Sequence, residues 1–179
     1  RILSLRPFLM NISLFCHCYV DQLTPRIGFA VAEVLEGLGH TVDVPEGQTC
    51  CGQPAMNTGY EDEARDVARH ILKVFADSEA VVIPSGSCGA MIRHFYPELF
   101  AGRPEENEAR ALAAKTWEFS EFLVDHLGVE DVGASFPHKV TWHDGCHGLR
   151  ELRIQDQPRK LLARVKGLEL VEMREAKSC

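Results

Sequence analysis

Apolar positions along the chain change period several times, and the changes mark its elements. The short run NISLFCHC (11–18) reads as a strand. TPRIGFAVAEVLEGLGH (24–40) follows with apolar residues at helical spacing, between Pro25 near its start and Gly39 at its end. TVDVP (41–45) is a second strand, YEDEARDVARHILKVFADS (60–78) an amphipathic helix opened by acidic residues, and AVVIPSG (80–86) a fully apolar, buried strand. This β-α-β-α-β alternation predicts an α/β fold, with parallel sheets flanked by helices.

The pattern then loosens. A helix over about 87–96 is expected, and the charged, Ala-rich GRPEENEARALAAKTWEFSEFLVDHLG (102–128) reads as one helix or two. HKVTWHDGC (138–146) returns to strand, QPRKLLARVKG (157–167) to helix and LELVEM (168–173) to strand. The cycle therefore starts again, and the cysteines keep step with it. Cys18 and Cys146 each follow a strand, and Cys50 and Cys179 each follow the next strand at nearly equal intervals. Two pseudo-repeated strand-helix-strand units are expected: a first unit over 10–130 and the start of a second over 131–179. The second breaks off where the first continues as CCGQP, which predicts further chain beyond Cys179. Residues 1–9 are read as an upstream extension.

Composition narrows the chemistry. In 179 residues, 45% hydrophobic and 25% charged positions are ordinary for a globular chain with a real core. A net charge of -7 argues against nucleic acid or an anionic membrane as the main partner. No apolar run approaches the roughly 20 residues of a membrane span. Seven cysteines, an odd number, without an export signal point to metal or redox chemistry in the cytoplasm and away from a disulfide framework.

The vicinal pair in QTCCGQP (48–54) is the sharpest feature. Neighbouring side chains diverge, so Cys50 and Cys51 face one site only where the backbone turns, which Gly52 allows. Ligands of open α/β sheets sit outside the carboxyl ends of the strands, and Cys18, Cys50, Cys51, Cys88 and Cys146 all follow strands. Several thiolates on one edge suit an iron-sulfur cluster, and the glycines of PSGSCGA, Gly86 among them, let backbone amides approach it. Zinc is the competing metal, although closely spaced C-x-x-C ligand pairs are absent. Cys16 reads as a packed core residue. In WHDGCHGLR, His143 and His147 flank Cys146, with Asp144 and Arg150 near. A carboxylate substrate held by Arg150 and deprotonated by an imidazole is one reading; loop ordering by His143 and Asp144 is the other. Gln53 and Asn57 brace the vicinal loop, Arg93 and His94 lie on a helix surface, and PEENEAR is a solvated face.

LFCHCYVDQL, VPEGQTCCGQPAMNTGY, PSGSCGAMIRHFYPEL, SEFLVDHLGV and HDGCHGLREL together resemble the cysteine-rich (CCG) domain family over 10–179, most closely its lactate-utilising members. The family domain also occurs in the heterodisulfide reductase B subunit and in the iron-sulfur subunits of glycolate oxidase and anaerobic glycerol-3-phosphate dehydrogenase. The resemblance places metal ligands on Cys18, Cys50, Cys51 and Cys88, and a second set on Cys146 and Cys179. It implies an iron-sulfur cluster, 4Fe-4S in type, in an oxidoreductase subunit that works with two partner subunits on a small 2-hydroxy acid. The fullest family motif ends C-x-x-C; Met91 occupies its last position here, leaving four cysteines in the first set. No G-x-G-x-x-G follows a strand, so no dinucleotide site is visible. A thiol-disulfide oxidoreductase, a glycolate-oxidising subunit and a zinc-stabilised interaction module are the alternatives.

Overall fold

The computed structural model describes residues 9–178. Its main sheet has four parallel strands in the order β2-β1-β3-β4. These are β1 (Asn11–Leu14), β2 (Thr41–Asp43), β3 (Ala80–Ile83) and β4 (Thr116–Glu118). The register pairs Ile12 with Val42, Ser13 with Val81 and Val82 with Trp117. Side chains alternate across the sheet. Ile12, Leu14, Ala80 and Val82 enter one core with Val31, Leu35 and Phe122. Phe15, Val81 and Ile83 enter the other, with Ile71, Phe75, Met91, Tyr96 and Phe100.

The helices follow from local signals. Helix α1 (Cys18–Leu23) is short, and α2 (Pro25–Gly37) opens on proline, whose missing N–H costs nothing in a first turn. Beyond α2, Gly39 takes a φ of 96° and donates its N–H to the Glu36 carbonyl. Helix α3 (Gln53–Asn57) leads to α4 (Glu61–Val74), with Glu61, Asp62 and Glu63 in its first turn and Lys73 in its last, as the helix dipole favours. After β3, α5 (Gly86–Ala90) runs through a π turn (Met91–Phe95) into α6 (Tyr96–Leu99). Then come α7 (Glu106–Ala114), β4, α8 (Phe119–Glu121) and a second π turn (Phe122–His126). The expected one or two helices over 102–128 are thus divided by an edge strand. Among the described residues no helix is long and apolar enough to cross a membrane.

Residues 139–170 make a further parallel pair, β5 (Lys139–Val140) with β6 (Glu169–Leu170), joined through a π turn (His147–Glu151) and α9 (Asp156–Arg164). This is a strand-helix-strand unit in the expected place. Its strands are two residues each and form a sheet of their own, however, so the fold establishes the α/β class without establishing a repeat of the first unit. Cys179 lies outside the described residues.

Strand order fixes where a ligand belongs. From β1 the chain moves to β2 on one side, then crosses to β3 and β4 on the other. The switch point is between β1 and β3, and the crevice outside their carboxyl ends is the natural site.

Candidate metal centre

Three segments deliver four thiols to that crevice. Cys18 begins α1 just after β1; Cys50 and Cys51 end the loop after β2; Cys88 sits in α5 after β3. Sγ of Cys51 lies 3.2 Å from Sγ of Cys88. Cys50 lies near enough to Cys18 and Cys51 to shift their thiol acidities, so the sulfurs follow one another from Cys18 through Cys50 and Cys51 to Cys88. Among the described residues no three His, Cys, Asp or Glu donors surround one point as a single ion would require. Cys51 and Cys88 are buried, Cys50 half-buried and Cys18 exposed, so the row runs from the core to the surface.

The vicinal turn forms because Gly52 adopts a φ of 86°, in the left-handed region that only glycine enters cheaply. Its N–H points at Cys50 Sγ from 3.4 Å. Polar contacts fix the loop from several sides. Gln48 accepts from the Cys16 N–H at 2.9 Å and donates to the Leu14 carbonyl at 2.9 Å, pinning the loop to the end of β1. Gln53 donates to the Ser87 carbonyl at 3.2 Å, and the buried Tyr96 hydroxyl donates to the Cys51 carbonyl at 2.9 Å. Ser85 caps α5 by accepting from the Cys88 N–H at 3.3 Å.

Thiol acidity follows this geometry. The hydrogen bond with Cys51, then burial, hold the Cys50 thiol well above its ordinary value. At Cys51 the largest influence is Cys50, which lowers the value, but Cys88 and burial outweigh it and push the thiol up to about 12. Cys88 is shifted down, chiefly by its hydrogen bond from Cys51. Burial, then Cys50, raises Cys18. Four thiolates this close cannot coexist without compensating positive charge. A soft cation or cluster supplies it and drives the remaining protons off. The donor set, the crevice and the Gly52 N–H therefore suit a positively charged group that extends along several sulfurs and not a single ion held at one point.

The other cysteines are placed differently. Cys16 turns toward α2, its sulfur 3.1 Å from where a Cβ on Gly28 would stand, and packs beside the Ile12 and Val31 core. Met91 is fully buried in the opposite core. Cys146 stands across a cleft of about 370 Å³ from the Ser85–Ser87 backbone. Its Sγ is 3.6 Å from Nδ1 of His147, which also lines the cleft. His143 and Arg150 are exposed, and His143 Nε2 is tied to the Ser178 carbonyl at 2.8 Å. Asp144 forms a two-point ion pair with Arg159, at 2.8 and 2.9 Å, and accepts from Trp142. The geometry of this loop is that of ordering contacts. Sequence reading did not pick out Gln48, Ser85, Tyr96 or Arg159, because a brace carries no local motif.

Gly86 has a packing reason of its own. A Cβ there would stand 2.9 Å from Cα of Gly148, with backbone meeting backbone. Gly86→Ala is expected to push the Cys146 segment off α5 and to cost about 1–3 kcal/mol, the usual range for overpacking. Urea unfolding of the metal-free protein measures this, and an unchanged midpoint would show that the contact yields freely.

Residues 12–93 and 140–179 match the model of the family described as Cysteine-rich domain. Over 171 residues, 95% of this chain and 71% of each relative, the chain is 52% identical to Lactate utilization protein A of Geobacillus kaustophilus (strain HTA426). It is 50% identical to that of Geobacillus thermodenitrificans (strain NG80-2) and 47% to that of Bacillus subtilis (strain 168). The chain belongs to the cysteine-rich (CCG) domain family, alongside the lactate utilization A proteins.

Proposed function

We propose that this chain is an iron-sulfur electron-transfer subunit of a cytoplasmic L-lactate oxidation system, acting with two partner subunits. The convergence of Cys18, Cys50, Cys51 and Cys88 at the β1/β3 switch point carries this reading. The names of the relatives supply the substrate. Lactate becomes pyruvate by giving up two electrons and two protons, and a 4Fe-4S cluster, when bound, accepts and passes on one electron at a time. The chain's own residues do the rest. The cysteines hold the cluster, the Gly52 N–H is aimed at a ligand sulfur, and burial of Cys51 and Cys88 keeps water from the inner end. Residues 10–130 form one functional unit and 131–179 the start of a second, in which Cys146 and Cys179 are ligands.

The close Cys51–Cys88 contact, with one thiol shifted up and the other down, favours one second reading. The pair could reduce a disulfide substrate, forming a Cys51–Cys88 disulfide and releasing two thiols. Anaerobic reconstitution followed by iron and acid-labile sulfide analysis tests the first reading. Equal iron and sulfide are expected, whereas zinc alone would make the chain a structural module. In cells, replacing Cys50 and Cys51 together should abolish growth on L-lactate. Normal growth would remove the proposed role, and loss of disulfide reduction in its place would establish the second reading.

A further inference from the structure

The mouth of the thiol crevice carries charge that the chain itself does not balance. A cavity of about 430 Å³ opens there, with Cys18, Cys50, Asp21, Val44 and Glu46 among its walls. Asp21 and Glu46 are the only charged residues that line it, and both are exposed. Among the described residues neither carboxylate belongs to an ion pair with a cation of this chain. Asp21 accepts from the neighbouring Gln22 amide. Apolar surface adjoins the pair. Helix α1 buries Val20 and leaves its other residues exposed. Tyr19 and Leu23, one turn apart on it, are 58% and 67% exposed, and Val44 is 53% exposed. Large apolar side chains open to water beside one another mark a contact surface, as scattered single ones do not.

Two carboxylates beside a row of sulfur ligands repel the negative charge that those ligands carry once deprotonated. The chain supplies no cation at the mouth to offset this, so a cation brought from outside is attracted there. A small cation would satisfy the carboxylates and leave Tyr19, Leu23 and Val44 in water. A protein surface with Lys or Arg side chains around an apolar centre meets both needs. Cys18 gives the reason for such a partner. It is the exposed member of the four cysteines, and electron exchange weakens steeply with distance, so electrons enter or leave at this end.

We infer that the Cys18 end of the crevice, framed by Asp21, Glu46, Tyr19, Leu23 and Val44, is the docking surface for a redox partner protein with a basic rim around an apolar centre. The inference rests on the reading that the four cysteines hold an iron-sulfur cluster. In each encounter the reduced protein of the pair loses one electron and the oxidised one gains it, with no bond made or broken. The carboxylates speed and orient the encounter, and the apolar side chains hold it.

The test mixes the anaerobically reconstituted, dithionite-reduced chain with oxidised cytochrome c, a protein whose haem edge is ringed by lysines. A parallel reaction uses benzoquinone, a small uncharged acceptor. Asp21→Asn/Glu46→Gln is compared with wild type and with Glu108→Lys, which changes the net charge equally at an exposed position of α7. Wild type should reduce the haem at a rate that falls steeply with added salt. The double variant should be slower by roughly tenfold at low salt and less sensitive to salt, while its iron content and benzoquinone rate hold. Glu108→Lys should stay near the wild-type rate. Equal cytochrome c rates in wild type and the double variant overturn the docking surface. So does an equal loss in Glu108→Lys, or an equal loss with benzoquinone. Wild type that takes up no iron and sulfide overturns the cluster reading beneath it. Carbodiimide coupling of the two proteins needs no iron and then decides the surface by itself. Crosslinks from Asp21 or Glu46 to cytochrome c lysines support it, and crosslinks confined to other carboxylates overturn it.

Discussion

Cys51→Ser is expected to leave the protein folded and to lower its affinity for iron by on the order of tenfold or more, the scale at which even outer partners of metal ligands act. Cys16→Ser should leave bound iron unchanged. Cys51 is the inner member of the vicinal pair, 1% exposed, with its sulfur against Cys88. Serine puts a smaller, harder and far less acidic donor in that place, and soft iron sites discriminate against it. The fold should survive, because the Tyr96 hydroxyl holds the Cys51 carbonyl and not its side chain. Cys16 faces Gly28 of α2, and its tie to the loop is its backbone N–H to Gln48, which serine keeps. Iron and sulfide per chain after anaerobic reconstitution, with a melting curve for each variant, measure the difference. Equal iron in wild type and Cys51→Ser would refute the assignment.

The convergence of Cys18, Cys50, Cys51 and Cys88 was legible because three facts about the sequence sufficed: each cysteine follows a strand, the strands are parallel, and Gly52 permits the turn. What holds them was not. Gln48 acts through both ends of one amide, on residues more than thirty positions away. Tyr96 reaches the vicinal pair from the end of a stretch that the sequence marks only as a helix over about 87–96. Such contacts depend on how helices settle on the sheet, and no local spacing encodes them.

The same division runs through the fold. Long periodic segments such as α2 and α4 lie where the pattern puts them. The strand β4 does not stand out, because Thr116, Trp117 and Glu118 sit between two helices and three residues cannot display a period. Tertiary contacts make it a strand: Val81 donates its N–H to the Lys115 carbonyl, and Thr116 is buried with its hydroxyl on the Leu112 carbonyl. Conversely, HKVTW and LELVEM promise longer strands than form. Pairing β5 only with β6 leaves both at an edge, where little apolar surface rewards extension.

That thin sheet makes the last prediction, which concerns what holds the 139–178 segment together. Asp144→Ala is expected to destabilise it by about 2–3 kcal/mol, below the roughly 3–5 of a fully buried pair because Arg159 keeps some solvent and its contact with Glu172. The Asp144 side chain is 1% exposed and joins three elements. Its carboxylate takes both arms of Arg159 on α9, its Oδ1 accepts from Trp142, and its backbone N–H donates to the Ala176 carbonyl. The hydrogen bond from Arg159 holds the Asp144 carboxyl below its ordinary value of 3.8. A carboxylate with a depressed folded value stabilises fully above that ordinary value and ceases to do so as pH falls through the folded one. Stability of the wild type should therefore fall in the acid range below about 3.8, and the Asp144→Ala protein should lack that part of the acid transition. Urea midpoints at pH 7 and across the acid limb measure both effects. Limited proteolysis should show earlier cleavage around Cys146 in the variant. An unchanged midpoint at pH 7, with the acid limb intact, would show that the short β5/β6 sheet holds this segment by itself.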